Sequence, residues 1–185
     1  MSATANKPSN SSETDSDQLT GARLTELYRM MVLSRHLDER VWLLNRQGKA
    51  AIAASAQGHE AAQVARVEAT DPSKDHYLIY YRQFTAMLAL GTEPEEMLRG
   101  FLAKEADPMS ASRQFPLHGA HPRVDLFNFS NVIATQLPQA AGVALADKLK
   151  GSDAATIVYF GDGASSQGDT HEAMNGTEAA FSNDG

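Results

Sequence analysis

The sequence predicts an α/β domain with a mostly parallel sheet flanked by helices. Three observations carry this. Helical segments and short apolar runs follow one another in the order helix, strand, helix, strand, helix. The run Ala155–Phe160 is continuously apolar or β-branched, as a strand covered on both faces must be. The composition, 42% hydrophobic and 21% charged, is that of an ordinary globular chain.

Taken in order, Leu24, Leu27, Tyr28, Met31, Val41 and Leu44 keep helical spacing and predict a long amphipathic helix ending near Gly48. Ala50–Ala56 reads as irregular, and His59–Ala69 as a second helix. Tyr77–Tyr80 is a short strand candidate. Thr92 with Glu95 resembles a capping box, and Pro94 suits a first turn, so a helix should run to about Ala103. Asp107–Phe129, with Pro108, Pro116, Gly119 and Pro122, is a long loop of the kind that often carries function. Ala134–Leu149 is a small-residue helix with Leu137, Ala141, Leu145 and Leu149 on one side, closed by Gly151. After Ala155–Phe160, Asp169 and Glu172 suit the start of a last helix.

Several functions are excluded early. A net charge of −7 and no basic stripe argue against nucleic acid. The absence of cysteine removes disulfides, thiolate metal sites and a Cys nucleophile, and fits a cytoplasmic protein. No run approaches the ~20 apolar residues of a membrane span. Residues 1–20 are expected to form a disordered polar tail; they match neither a signal peptide nor a transit peptide. Residues 21–185 are expected to be the N-terminal part of a larger α/β domain, since too few residues follow Gly163 to supply more strands.

The chemistry concentrates at Gly161-Asp162-Gly163. Ligands of open α/β sheets sit beyond the carboxyl ends of strands. Two glycines let backbone amides approach an anion without a Cβ between. Asp162 would repel a phosphate unless a divalent cation such as Mg²⁺ lay between them, so the combination implies a metal–diphosphate pair. Spacing removes the rivals. A dinucleotide fingerprint needs glycine where Ser166 stands, a P-loop needs a lysine, and a nucleophile elbow fails at Gln167. A Gly-rich turn with a capping Asp remains open on spacing alone.

Gly161-Asp162-Gly163 followed by Gly168-Asp-x-His-Glu-Ala-x-Asn175 resembles the thiamine diphosphate motif. The blocks Asp38-Glu-Arg…Arg46-Gln-Gly-Lys49, Gln57-Gly-His-Glu-Ala-Ala62, Tyr80-Tyr-Arg82, Arg113-Gln-x-Pro-x-His118 and Ala134-Thr-Gln-x-Pro-Gln-Ala-x-Gly142 extend the resemblance over roughly Leu24–Ala180. The family is the alpha subunit of the decarboxylating first component of 2-oxo acid dehydrogenase complexes. The branched-chain (2-oxoisovalerate) type is most similar; pyruvate and acetoin types stay open, as does a non-catalytic α/β binding module. A transketolase-like activity is disfavoured by the same blocks.

The resemblance implies a thiamine diphosphate-binding fold. It implies an enzyme that decarboxylates a 2-oxo acid and passes the acyl group to a lipoyl-bearing acyltransferase. A beta subunit, or a fused beta domain, would complete the active site. It makes Asp162 a metal ligand and Gly161, Gly163, Ala164 and Ser165 the diphosphate cradle. Arg82 becomes a diphosphate contact, with a surface ion pair as its bland alternative. Tyr80 and Tyr81 would flank the cofactor, though strand-end core aromatics are an equal reading. Asn131 stands where the family has Ser, and Ile133 where it has an aliphatic contact. His118 matches an active-site histidine at the substrate end, and Ile52 a pocket position often filled by Phe. Ser130, Thr135 and Gln136 resemble a monovalent-cation loop. Glu172 and Asn175 match the motif. The other metal ligands and a later catalytic His are expected beyond Gly185.

Overall fold

The computed structural model describes residues 19–181, so the expected tail lies outside it up to residue 18. Helix α1 (Gly21–Arg46) opens on Thr20, whose hydroxyl accepts the Arg23 N–H. It is followed by α2 (Glu60–Glu68), β1 (His76–Leu78), α3 (Phe84–Ala89), α4 (Pro94–Phe101), α5 (Gln136–Lys150), β2 (Thr156–Val158) and α6 (Gly168–Phe181), with a 3-10 turn at Asp162–Ser166 before α6. The two strands pair in parallel, His76 to Thr156, Tyr77 to Ile157 and Leu78 to Val158. Both are shorter than the apolar runs that announced them.

The main core gathers around Tyr77, Ile79, Phe84, Met87, Met97 and Phe101, each at most 4% exposed. A smaller cluster joins Ala134, Leu137, Ala164 and Ala173. Strand β2 lies between them. Ile157 and Tyr159 pack on the first, and Val158 and Phe160 on the second, by the two-residue alternation of a strand. The strand is thus contacted on both faces as expected, although its residues are only half-buried.

Four local expectations need correction. In α1 the buried stripe is Leu27, Ser34, Leu37, Asp38 and Val41, while Leu24 and Tyr28 are 51% and 64% exposed. In α5 the buried residues are Gln136, Leu137, Ala140 and Asp147, and Leu149 is 79% exposed. Residues spaced by four advance roughly 40° per step, so a 137–141–145–149 row winds off the buried face. The capping box of α4 is Glu93 with Glu96, whose carboxylate accepts the Glu93 N–H at 2.9 Å. The Thr92 hydroxyl turns back instead to the Met87 carbonyl. At the start of α6 Asp169 lies within the first turn, with no side-chain hydrogen bond among the described residues; Thr170, 2% exposed, ties the helix to the preceding turn through the Ala164 carbonyl at 2.6 Å. Helix α3 was not foreseen.

Candidate functional site

Beyond the carboxyl ends of the two strands, two turns face each other across a cavity of about 700 Å³. One wall is Tyr80–Gln83, the chain leaving β1. The other is Gly161–Ala164, the chain leaving β2, with residues 130–134 beside it. The sequence therefore brings Tyr80, Tyr81, Arg82, Asn131, Ile133, Gly161, Asp162, Gly163 and Ala164 to one place.

The first wall is held by side chains. The Gln63 amide donates to the Arg82 carbonyl at 3.1 Å and its oxygen accepts the Ala86 N–H at 3.2 Å. Below it, the Ser34 and Thr85 hydroxyls pair at 2.6 Å inside the core. The Arg82 guanidinium donates to the Ser55 carbonyl and lies 5.3 Å from the Tyr81 ring centre. It has no carboxylate partner among the described residues. Tyr80 and Tyr81 meet edge to face, half-buried, and both line the cavity, while Tyr81 also packs against the main core.

The second wall is lighter. The turn is closed by Ala164 N–H to the Gly161 carbonyl at 2.9 Å, and only Ala164 in it is buried. Asp162 is exposed, with no hydrogen bond to its carboxylate among the described residues. The glycines are not demanded by the backbone: Gly161 has φ −79°, and an added Cβ on Gly163 would meet nothing within 4 Å. On Gly161 the nearest atom would be the Tyr80 hydroxyl at 4.0 Å. What a Cβ would fill is the space between the walls. Ser165 stands apart. It does not line the cavity, and its hydroxyl donates to the Asp162 carbonyl at 2.6 Å.

Tyr81 and Asn131 also line a second, smaller pocket of about 180 Å³ with Ile52, Ala54, Phe101, Phe115, Pro116 and His118. His118 is 1% exposed, tilted 4.9 Å from Phe129 and stacked on Tyr81. Its Nδ1 lies 3.0 Å from the Pro116 carbonyl, which can only accept. The proton of the neutral ring therefore sits on Nδ1, and Nε2 presents a lone pair. That Nε2 is buried and has no hydrogen-bond partner among the described residues. The loop holding it is tight: Leu117 has φ +59° and Gly119 +134°.

The remaining expectations sort as follows. Ser130 accepts the Val132 N–H, Thr135 donates to the Val132 carbonyl, and the Gln136 amide donates to the Tyr159 carbonyl at 2.8 Å. The hydroxyls serve the local turn and Gln136 ties α5 to the end of β2. Glu172 and Asn175 are exposed on α6, away from the cavity. No group of three metal-binding side chains occurs among the described residues; Asp162 is a single carboxylate. Sequence reasoning missed His59 and Gln83, which also line the cavity. His59 stands inside the block Gln57–Ala62 and Gln83 directly follows Tyr80–Arg82, and the Gln83 side-chain oxygen is buried without a partner among the described residues.

Two parallel strands with a glycine–acid turn and an arginine across a cavity beyond their carboxyl ends define an α/β protein with a ligand-sized cleft. The chain belongs to the dehydrogenase E1 component family, whose model matches residues 28–180. It is 43% identical over 157 residues to the 2-oxoisovalerate dehydrogenase subunit alpha of Bacillus subtilis, covering 85% of this chain and 48% of that protein. It is 34% identical over 149 residues to the mitochondrial 2-oxoisovalerate dehydrogenase subunit alpha 1 of Arabidopsis thaliana (80% and 31%). To the pyruvate dehydrogenase E1 component subunit alpha of Staphylococcus aureus it is 37% identical over 162 residues (85% and 40%). The chain thus spans about half or less of the length of these relatives.

Proposed function

We propose that this chain is the diphosphate- and metal-gripping part of a 2-oxo acid dehydrogenase alpha subunit acting on branched-chain 2-oxo acids. One observation carries the reading. A cavity walled by Arg82 and the Gly161–Ala164 turn shares Tyr81 and Asn131 with an apolar pocket that ends on the free Nε2 of His118.

The residues fit Mg²⁺ and thiamine diphosphate. Arg82 keeps donors for phosphate oxygens, because a carbonyl and not a carboxylate holds it. The Asp162 and Gly163 N–H groups precede the first bond of the turn and, with no backbone acceptor among the described residues, are open to an anion. The unpaired Asp162 carboxylate would hold the Mg²⁺ that screens it from the diphosphate. Tyr80, Tyr81, Asn131 and Ile133 line the same cavity and would contact the cofactor, to which the buried Gln83 oxygen would offer an acceptor. Bound thiamine diphosphate supplies the electron sink for decarboxylation.

At the other end Ile52, Ala54 and Phe115 offer apolar contact to an aliphatic branch. His118 accepts a hydrogen bond, or a proton, at Nε2 while Pro116 holds the ring. A beta subunit or fused beta domain completes the site, and a lipoyl-bearing acyltransferase takes the acyl group, in the cytoplasm.

The test is Mg²⁺-dependent decarboxylation by the full-length subunit assembled with its beta subunit. Turnover of 2-oxoisovalerate should exceed that of pyruvate, and Asp162→Ala should abolish it at an unchanged melting temperature. Preference for pyruvate would move the assignment to the pyruvate type. Full activity in Asp162→Ala would sink the site.

A further inference from the structure

The block that begins at Asp38 is not absorbed by the site as described. Asp38 lies on the inner face of α1, 3% exposed, and forms no ion pair within the described residues. Burying a carboxylate without a cation is costly, so packing alone does not account for it. Its Oδ2 accepts the Ser55 hydroxyl at 2.7 Å. That same hydroxyl oxygen accepts the Gln57 N–H at 3.1 Å. The Ser55 carbonyl accepts from the Arg82 guanidinium. Residues 52–56 belong to no helix or strand, so no ladder fixes the direction of that carbonyl; the side chain of Ser55, anchored at both ends, does.

We propose that Asp38, acting through Ser55, is a positioning residue that aims the Arg82 guanidinium into the cavity. The proposal rests on the reading of Arg82 as a diphosphate contact. The arrangement has a chemical logic. A carboxylate placed directly on Arg82 would neutralise it and compete with phosphate for its planar fork. A carbonyl steers one N–H and leaves the charge and the other donors open. The Gln63 clamp on the Arg82 carbonyl fixes the backbone of the same residue, so side chain and main chain are held separately, from α1 and α2.

The experiment follows the Arg82 side chain directly. In ¹⁵N-labelled chain its Nε–H resonance, assigned by its loss in Arg82→Ala, should be dispersed and slow to exchange. Asp38→Ala and Ser55→Ala should collapse it toward the averaged arginine position, while Asp38→Asn, which keeps an acceptor for the Ser55 hydroxyl, should retain it. Ser55→Ala removes one buried hydroxyl and serves if Asp38→Ala fails to fold. In calorimetry with Mg²⁺–thiamine diphosphate, the two disrupting variants should bind about tenfold more weakly, the scale of losing an outer partner of a liganding group. Asp38→Asn should bind within about twofold of wild type. An unmoved Arg82 resonance in both Asp38→Ala and Ser55→Ala overturns the proposal. Affinity unchanged in Arg82→Ala, with the resonance still collapsing in the other two, overturns the diphosphate reading and leaves the positioning role standing.

Discussion

The two walls of the cavity are built on different principles. The Tyr80–Gln83 wall, with the His118 loop behind it, sits on the main core and is tied down by side chains: Gln63, Ser55, the Ser34–Thr85 pair and the Pro116–His118 contact. The Gly161–Ala164 wall rests on the smaller cluster of Ala134, Leu137, Ala164 and Ala173 and holds itself mainly by backbone bonds. A pocket that must discriminate by shape needs the first kind. A turn that met phosphate and a cation, as proposed for this one, would need the second, because the ligand would complete its donors and its carboxylate. The walls should therefore fail differently.

The largest expected effect falls on the light wall and concerns function alone. Asp162→Ala should cost Mg²⁺-dependent turnover of the assembled enzyme at least about a hundredfold, since a metal contributes several kcal/mol to such sites. Its unfolding free energy should stay within about 0.5 kcal/mol of wild type, because the side chain is exposed and unpartnered. Chemical denaturation and steady-state kinetics on one preparation check both halves.

Gly119→Ala is the opposite case. Its φ is +134°, and a Cβ there would lie 2.6 Å from the Met109 carbonyl oxygen. Neither backbone segment can yield cheaply, so a loss of about 3 kcal/mol is expected, with the cofactor residues untouched. A urea midpoint equal to wild type would show that the His118 loop is softer than its packing implies.

Much of this contrast could be read from the chain itself. The Gly161-Asp162-Gly163 turn was legible because glycine, acid and apolar run are local signals, and the alternation of β2 between two clusters follows from its composition. Three things were not legible. Helix α3 is buried from Phe84 to Leu88, so it shows no amphipathic period. The cap of α4 shifted by one residue because Thr92 found a competing acceptor in the Met87 carbonyl. The free Nε2 of His118 depends on the Pro116 carbonyl turning toward Nδ1 of the ring two residues on, a local loop conformation that no spacing reports.

An intermediate effect should come from acid. Beside the His118 loop, Arg123 bonds the Glu96 carboxylate at 2.5 Å and holds it at about 2 against burial. Burial pushes His121 below its ordinary 6.5, and Glu96, 3.4 Å away, opposes this only partly. Both groups have folded pKa values below their unfolded ones. Their stabilisation is therefore complete above the unfolded values and is lost as pH falls. The His121 share should go below 6.5, and the Glu96 share between about 4.5 and about 2. Denaturant midpoints measured from pH 8 to 3 should show the decline, and Glu96→Gln should flatten its lower part. A lower branch as steep in Glu96→Gln as in wild type would remove this cluster from the account.

The smallest expected effect is the one that most sharpens the light wall. Ser165 resembles a cradle residue, yet its hydroxyl points back along the turn to the Asp162 carbonyl and does not line the cavity. If it only stiffens the turn, Ser165→Ala removes one exposed hydrogen bond, worth about 1 kcal/mol or less. Affinity for Mg²⁺–thiamine diphosphate should then change by no more than about threefold, equivalent to well under 1 kcal/mol. A loss near that of Asp162→Ala would mean that the hydroxyl swings round to the ligand on binding. The Gly161–Ala164 wall would then be assembled by its ligand, while the Tyr80–Gln83 wall is assembled by the fold.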